Sequence, residues 1–311
     1  MTTASFKIIA QGLRFPEGPI ALADGSVLVV EVERGSLTRV DPSGHKDVVA
    51  HLGGGPNGAA IGPDGHCYVC NNGGFSWHED EYGLRPTGQA ADYRQGRIER
   101  VDLKTGRFET LYAHGPRGPL RGPNDIVFDG HGGFWFTDLG KARERDIDRG
   151  SVYYAKCDGS HIEEAVFPML MPNGCGLSPD GKRLYVAETD AGRVWAFDLD
   201  GPGRVAKKPW PSPHGGELLC GLPGYQRLDS MAVEANGNIC VATLMENAGI
   251  TIVSPGGEIV QQVRMPDLAT TNICFGGKDL RTAYITLSLG GQLAAMDWPR
   301  PGLALHHLDR G

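Results

Sequence analysis

Six polar side chains recur at one position of a repeated phrase in this chain: Glu17, Asn57, Asn124, Asn173, Asp229 and Asn272. They stand in Pro16-Glu17-Gly18, Pro56-Asn57-Gly58, Pro123-Asn124-Asp125, Pro172-Asn173-Gly174, Leu228-Asp229-Ser230 and Thr271-Asn272-Ile273, each at the start of an apolar run. All are carboxylates or carboxamides, and no Lys, Arg or His intervenes. If the runs converge on one axis, Glu17 and Asp229 meet in a partly buried channel. There they repel unless one takes up a proton or a cation neutralises both. A divalent cation balances the pair, and all-oxygen ligation favours a hard ion such as Ca²⁺, Mg²⁺ or Mn²⁺, whereas zinc more usually brings His or Cys. Each residue alone is also a turn former able to cap its own backbone. Asn57 and Asn272 suit that role as well as ligation, and a metal that only plugs the channel is a further reading. Matched register across the repeats is what favours convergence.

The repeated phrase supplies the elements that would position these groups. After the polar residue comes an apolar strand, then a tight turn such as Pro63-Asp64-Gly65, Asp129-Gly130, Pro179-Asp180-Gly181 or Asn236-Gly237, then a second strand running back. A third strand follows each time, as in Gly96-Arg97-Ile98-Glu99-Arg100-Val101 and Gly192-Arg193-Val194-Trp195-Ala196-Phe197. Units begin near Pro16, Pro56, Pro123, Pro172, Leu228 and Thr271, with no amphipathic helical stretch between them. This pattern predicts an all-β six-bladed β-propeller with four-stranded antiparallel blades around a central channel. Residues 1–311 read as one such domain, with Phe6-Lys7-Ile8-Ile9-Ala10 as the outer strand that closes the ring with the last blade. Closure removes two exposed sheet edges.

In a blade the first strand lines the channel, and the loop after the second strand returns to the face where the first begins. The segment 70–96 is the longest of those loops and is rich in aromatic residues, as expected of a wall or lid over a pocket. Trp77, Tyr93 and Phe75 could stack on a ring, while Asn72, His78, Glu79 and, from a neighbouring unit, Arg121 could bind hydroxyls or a carboxylate. Packing within the loop is the plainer role for each. Phe134, Trp135 and Phe136 alternate within a strand and are expected between blades. His306 and His307 are expected in a C-terminal outer strand, away from that face.

Composition excludes several functions. The net charge is −7 with signs interspersed and no basic stripe, which argues against nucleic acid as a partner. No apolar run reaches the roughly 20 residues of a membrane helix, and Met1 to Ala10 lacks the pattern of a signal peptide. Seven scattered cysteines read as free thiols in a reducing compartment, so a cytoplasmic location is expected. Cys67 and Cys70 have C-x-x-C spacing, but in a strand that offset puts them on opposite faces. Gly35-Ser36 and Gly150-Ser151 lack a nucleophile elbow, and no glycine-rich loop leads into a helix to cradle phosphate.

Phe15-Pro16-Glu17-Gly18-Pro19, Pro123-Asn124-Asp125 with Gly132-Gly133-Phe134-Trp135-Phe136-Thr137-Asp138, Pro172-Asn173-Gly174 and Leu228-Asp229-Ser230 resemble the senescence marker protein/gluconolactonase (regucalcin-like) family. The resemblance runs from about residue 12 to residue 300. It implies a six-bladed propeller with one divalent metal in the channel mouth, held by Glu17, Asn173 and Asp229, with Asn124 as a fourth ligand or a substrate contact. It also implies Asp229 as general base. Ca²⁺ is the foremost metal, with Mn²⁺, Mg²⁺, Zn²⁺ or Fe²⁺ as alternatives. Sugar lactonases of the family often carry an arginine two residues before the third-unit asparagine; this chain has Gly122 there and Arg121 one residue further back. The expected function is metal-dependent opening of a small lactone, sugar-acid or similar, by a polarised carbonyl and an activated water. The alternatives are a related esterase or phosphotriesterase-like hydrolase, or a non-catalytic metal-stabilised binding propeller.

Overall fold

In the computed structural model, which describes residues 5–308, the chain forms six antiparallel sheets arranged as blades of a ring, each of four strands, with the two-residue strand Arg204–Val205 added to the fourth, and no helix among the described residues. The inner strands are Pro16–Ala21, Pro56–Ile61, Pro123–Phe128, Pro172–Leu177, Gln226–Val233 and Thr270–Gly276. Each packs against the inner strand of the next blade, and the sixth packs against the first. Blade 6 is completed by Lys7–Ala10, which pairs antiparallel with Gln292–Asp297 in the register Lys7 to Ala295. The ring is therefore closed by hydrogen bonds between its two chain ends, as expected from the sequence.

The strand period of two explains how one sheet serves two neighbours, because alternate residues face opposite sides. In blade 3, Trp135, Val152 and Tyr154 enter the wedge toward blade 4, while Phe134, Phe136 and Tyr153 enter the wedge toward blade 2. Cys67 and Cys70 likewise fall into different wedges, and all seven cysteines are free. Six apolar clusters fill the six wedges, and the one at the closure, around Leu13, Val27, Val29 and Leu293, is the smallest.

The C-terminal segment departs from expectation. It does not form an outer strand, because that place is taken by Lys7–Ala10. Instead it crosses the base of the ring, where the tight turns lie. Leu303 N–H donates to Val233 O at 2.8 Å and Gly302 N–H to Leu280 O at 2.8 Å. His307 Nε2 lies 3.3 Å from Asp129 O, and its ring meets Phe128 edge-on. Fully buried Glu234 anchors the segment by accepting from Trp298 Nε1 at 2.7 Å and from Arg300 Nε at 2.5 Å. Leu303, Leu305 and Leu308 thereby line a small apolar cavity low in the channel.

Candidate active site in the channel mouth

Each inner strand carries one extra residue, at or just after the polar group in blades 1 to 5 and just before Asn272 in blade 6, where Thr271 rather than Asn272 faces the mouth. Pro16 pairs with Glu31 and Glu17 with Val30, yet the next pair is Ile20 with Leu28. The same slip separates Pro56 from Ala59, Pro123 from Ile126, Pro172 from Cys175, Leu228 from Met231 and Thr270 from Asn272. A bulge bends a strand and re-aims its side chains, and here all six sit at the same end of the channel. Close approach of neighbouring bulges explains the glycine that follows Glu17 and Asn57. A Cβ on Gly18 would lie 2.6 Å from Asn57 O, and one on Gly58 would lie 2.3 Å from Asn124 O. Gly18 also holds φ at +50°, in the left-handed region.

Glu17, Asn57, Asn124, Asn173 and Asp229 are thus brought together around one cavity of about 540 Å³. Glu17 is buried, and its Oε2 accepts from Gly18 N–H and from Asn272 Nδ2, both at 2.7 Å. Its Oε1 has no partner, nor have Asn57 Oδ1 and Asn124 Oδ1. Asn173 Nδ2 donates to Thr189 Oγ1 at 3.1 Å, which leaves its carbonyl end as the acceptor. Asn272 does not join this set as a ligand, since it is occupied in holding Glu17 and in capping Ile273 N–H through its own oxygen. Asp229 is half-buried, and its carboxyl group lies beside Glu17 and Asn173. Burial first, and repulsion from Glu17 second, push that carboxyl well above the ordinary carboxylate range. Burial also raises Glu17, against the hydrogen bonds from Asn272 and Gly18.

A third carboxylate lies one residue deeper. Asp125 occupies the position that is glycine in blades 1, 2 and 4, accepting from Ile126 N–H at 2.9 Å and from Cys175 N–H of the next blade at 3.0 Å. Burial, opposed by those backbone donors and reinforced by Glu17, raises it to about 7. The sequence signal was present, an Asp where the repeat otherwise places Gly, Ser or Ile, but its meaning depends on which backbone it reaches.

Buried oxygens without donors are costly unless something fills the place of a donor. Two carboxylates with three carboxamide oxygens, free of His and Cys, are the donor set of a hard divalent cation. Among the described residues no group of three or more His, Cys, Asp and Glu side chains occurs that could hold a metal ion; here the carboxamides complete the set.

The other expected contacts fall outside the cavity. Arg121 is exposed, and only its backbone is engaged, N–H to Asp138 Oδ2 at 2.7 Å and carbonyl from Tyr93 Oη at 2.6 Å. No side chain fits at Gly122, where a Cβ would lie 2.5 Å from Gly140 O. Tyr93 is consumed in that bond. Asn72 is buried and caps Gly74 N–H while accepting from Lys141 Nζ. Trp77 packs on Phe15 with ring centroids 5.2 Å apart, and His78 is exposed beside Asp80.

The segment 70–96 does cover the mouth, but as a hairpin of Phe75–Asp80 and Gly83–Gln89 rather than an open loop. Its wall residues are Phe75, Tyr82, Arg85 and Pro86. It is pinned at three points: Glu79 by Arg14 at 3.0 Å, Leu84 N–H by Leu289 O of blade 6 at 3.1 Å, and its root by Lys141. Lys141 is fully buried, with Nζ 2.9 Å from Gly74 O and 4.2 Å from the Phe75 ring centroid. Burial lowers it to about 7, against attraction by Asp138 and Asp148. Sequence reasoning found neither Lys141 nor Tyr82, Arg85 and Pro86, because their relation to the mouth exists only once the hairpin folds across the ring.

The sequence pattern that defines the SMP-30/gluconolactonase/LRE-like region matches residues 15–288. The chain belongs to this family. A gluconolactonase of Zymomonas mobilis subsp. mobilis is 25% identical over 310 residues, covering 91% of this chain and 78% of the relative. Among solved structures, a gluconolactonase of Xanthomonas campestris superposes with a TM-score of 0.74 at 20% identity, covering 95% of this chain and 90% of that one. A calcium-binding regucalcin of Agrobacterium tumefaciens gives 0.73 at 18% identity, covering 98% and 100%. At these identities the structural likenesses show the fold. They agree with the ring described above.

Proposed function

We propose that this protein is a divalent-metal-dependent lactonase. Relatives named as gluconolactonase and lactonase support lactone hydrolysis. The observation that carries the metal is the set of unpartnered oxygens of Glu17, Asn57 and Asn124 in the mouth. Glu17, Asn124, Asn173 and Asp229 would hold the ion, with Asn57 beside them, and the calcium-binding regucalcin neighbour favours Ca²⁺. When bound, the ion supplies Lewis acidity to the lactone carbonyl and charge stabilisation to the developing oxyanion.

The protein groups do the rest. Asn272 and Gly18 fix one oxygen of Glu17, so its other oxygen is presented to the mouth without rotamer search. Thr189 orients Asn173 in the same way. Asp229 accepts the proton of the attacking water at a carboxyl oxygen and returns it to the departing ring oxygen. The hairpin narrows the entrance and excludes competing water from the ring.

The test is acid release from a lactone panel, followed with a pH indicator, using chelated protein and protein re-supplied with Ca²⁺, Mn²⁺, Mg²⁺, Zn²⁺ or Fe²⁺. Hydrolysis restored by one of these ions is the expected result. Equal rates with and without metal, or no hydrolysis with metal demonstrably bound, would overturn the reading.

A further inference from the structure

We propose, on the basis of the lactonase reading above, that the substrate is an uncharged lactone with an apolar body, such as an alkyl-substituted ring, rather than a polyhydroxylated or carboxylated sugar lactone. The cavity is divided by polarity. Its floor is the oxygen set already described, and the wall above is built from Phe15, Phe75, Leu139, Met171, Leu244 and Met245. The volume of about 540 Å³ lies within the usual range of small-molecule pockets. It equals roughly eighteen water volumes, space for a substituent beyond the reacting ring.

Above the floor, the charged and hydroxyl side chains of the mouth are already engaged, apart from the exposed Tyr82 hydroxyl at its rim. Arg85 makes a two-point pair with Asp80, at 2.7 Å for both contacts. Arg227 pairs with Asp190 at 2.7 Å. Thr189 Oγ1 accepts from Asn173, and Thr271 Oγ1 is shared with Thr286 and Ser288. Neither arginine is therefore left free to receive a substrate carboxylate. Each sugar hydroxyl pressed against the wall would lose its water without gaining a partner, a loss of about 5- to 150-fold in binding per group.

The wall also carries an unusual local conformation. Phe15, Met171 and Met245 hold φ at 56°, 50° and 68°, in the left-handed region that large side chains seldom adopt. All three face the same cavity. Strain of this kind collects at ligand sites, and here it turns apolar side chains toward the mouth from blades 1, 4 and 5.

The experiment uses the full chain loaded with the metal that supports activity, and compares γ-lactones bearing unbranched alkyl tails of increasing length with glucono-δ-lactone. The expected result is a rise in kcat/KM of about 4-fold per methylene until the tail outgrows the cavity, with the best alkyl lactone at least 100-fold above glucono-δ-lactone. In Met245→Ala, KM for the longest good substrate should rise about 10-fold while kcat stays within 2-fold, as expected for lost uniform binding. A flat alkyl series, a faster glucono-δ-lactone, or an unaltered KM in that variant would overturn the assignment while leaving lactonase activity in place. Failure to hydrolyse any of these lactones would instead remove the lactonase reading, and the substrate assignment with it.

Discussion

Glu17→Gln separates a metal ligand from a strand-start cap, because the two roles predict opposite signs. In the metal-free protein Glu17 Oε1 is buried without a donor, and its carboxyl is raised by burial beside Asp229, which is raised as well. Glutamine keeps an acceptor for Gly18 N–H and Asn272 Nδ2, and turns its amide toward the oxygens of the mouth. Removing an unsatisfied buried carboxyl is worth about 1–3 kcal/mol. For a chain of this size that raises Tm by roughly 2–6 °C. The pH dependence has a definite sign. A carboxyl raised in the fold stabilises below its ordinary value, near 4.5 for Glu17, and that stability is lost as pH rises through the folded value. The metal-free wild type should therefore weaken as pH climbs above about 4.5, and Glu17→Gln should weaken less. With metal the order reverses. A ligand at 100 times its Kd stabilises by about 2.7 kcal/mol, or roughly 5 °C. Loss of one of the two charges, taken as about 100-fold in affinity, leaves about 0.4 kcal/mol at the same concentration, an upshift below about 1 °C. Thermal scans of both proteins, chelated and with each cation, read all of this at once. A metal-free variant that melts lower than wild type, and still gains the wild-type upshift with metal, would refute the ligand role.

Asp229→Asn should still bind metal, more weakly, yet lose about 10²–10⁴-fold in kcat as the proton acceptor disappears; metal titration by calorimetry beside turnover separates the two effects. Leu293→Ala, in the smallest of the six wedges, should cost about 2–5 kcal/mol and lower Tm in a thermal scan, because that cluster backs the closing strand. Lys141→Met should flatten the pH dependence of Tm between about 7 and 10.5. A lysine lowered to about 7 adds stability above its ordinary 10.5 that is lost as pH falls toward 7, so the wild type should weaken over that interval and the variant should not.

Much of the ring could be read from residue order alone, because it rests on local rules. Tight Asp-Gly turns, period-two alternation and a repeated first strand point to blades, and Phe134-Trp135-Phe136 divide between two wedges as alternation demands. The first-strand residues Glu17, Asn57, Asn124, Asn173 and Asp229 were legible as a set for the same reason: one register position repeated around a ring has only one place to point. What failed were judgements about single side chains in the segment 70–96 and near residue 121. Their polarity was correct for binding, but Tyr93 and Asn72 find partners that only the folded chain supplies, and the Arg121 side chain is exposed outside the cavity. Tyr93 reaches Arg121 O, and Asn72 serves Lys141 and Gly74. The C-terminal segment was misplaced because two candidates competed for one sheet edge, and Lys7–Ala10 holds it.

The bulges connect the stability of the ring to its chemistry. A strand kept in perfect register would send residue 17, like its neighbours, into the wedges between blades, where an unpaired carboxylate is intolerable. In blades 1 to 5 one extra residue per inner strand, at or just after the polar group, lifts the polar side chains out of the wedges and toward the axis. The axis then holds more oxygen than donors, and the imbalance is confined to the mouth, because Asp125, one layer down, is met by backbone N–H groups of two blades. In the proposed reading a cation would complete the mouth as those N–H groups complete the layer below. Its removal should therefore be felt first at the mouth, by Phe15 and Met171, which sit two residues before Glu17 and Asn173 in strained conformations. Amide hydrogen exchange with and without metal tests this. Protection should change at residues 14–18, 56–58 and 171–174, while the wedge strands Phe134–Phe136 and Tyr185–Ala187 stay constant; a uniform change over the whole ring would place the metal's effect in global stability instead.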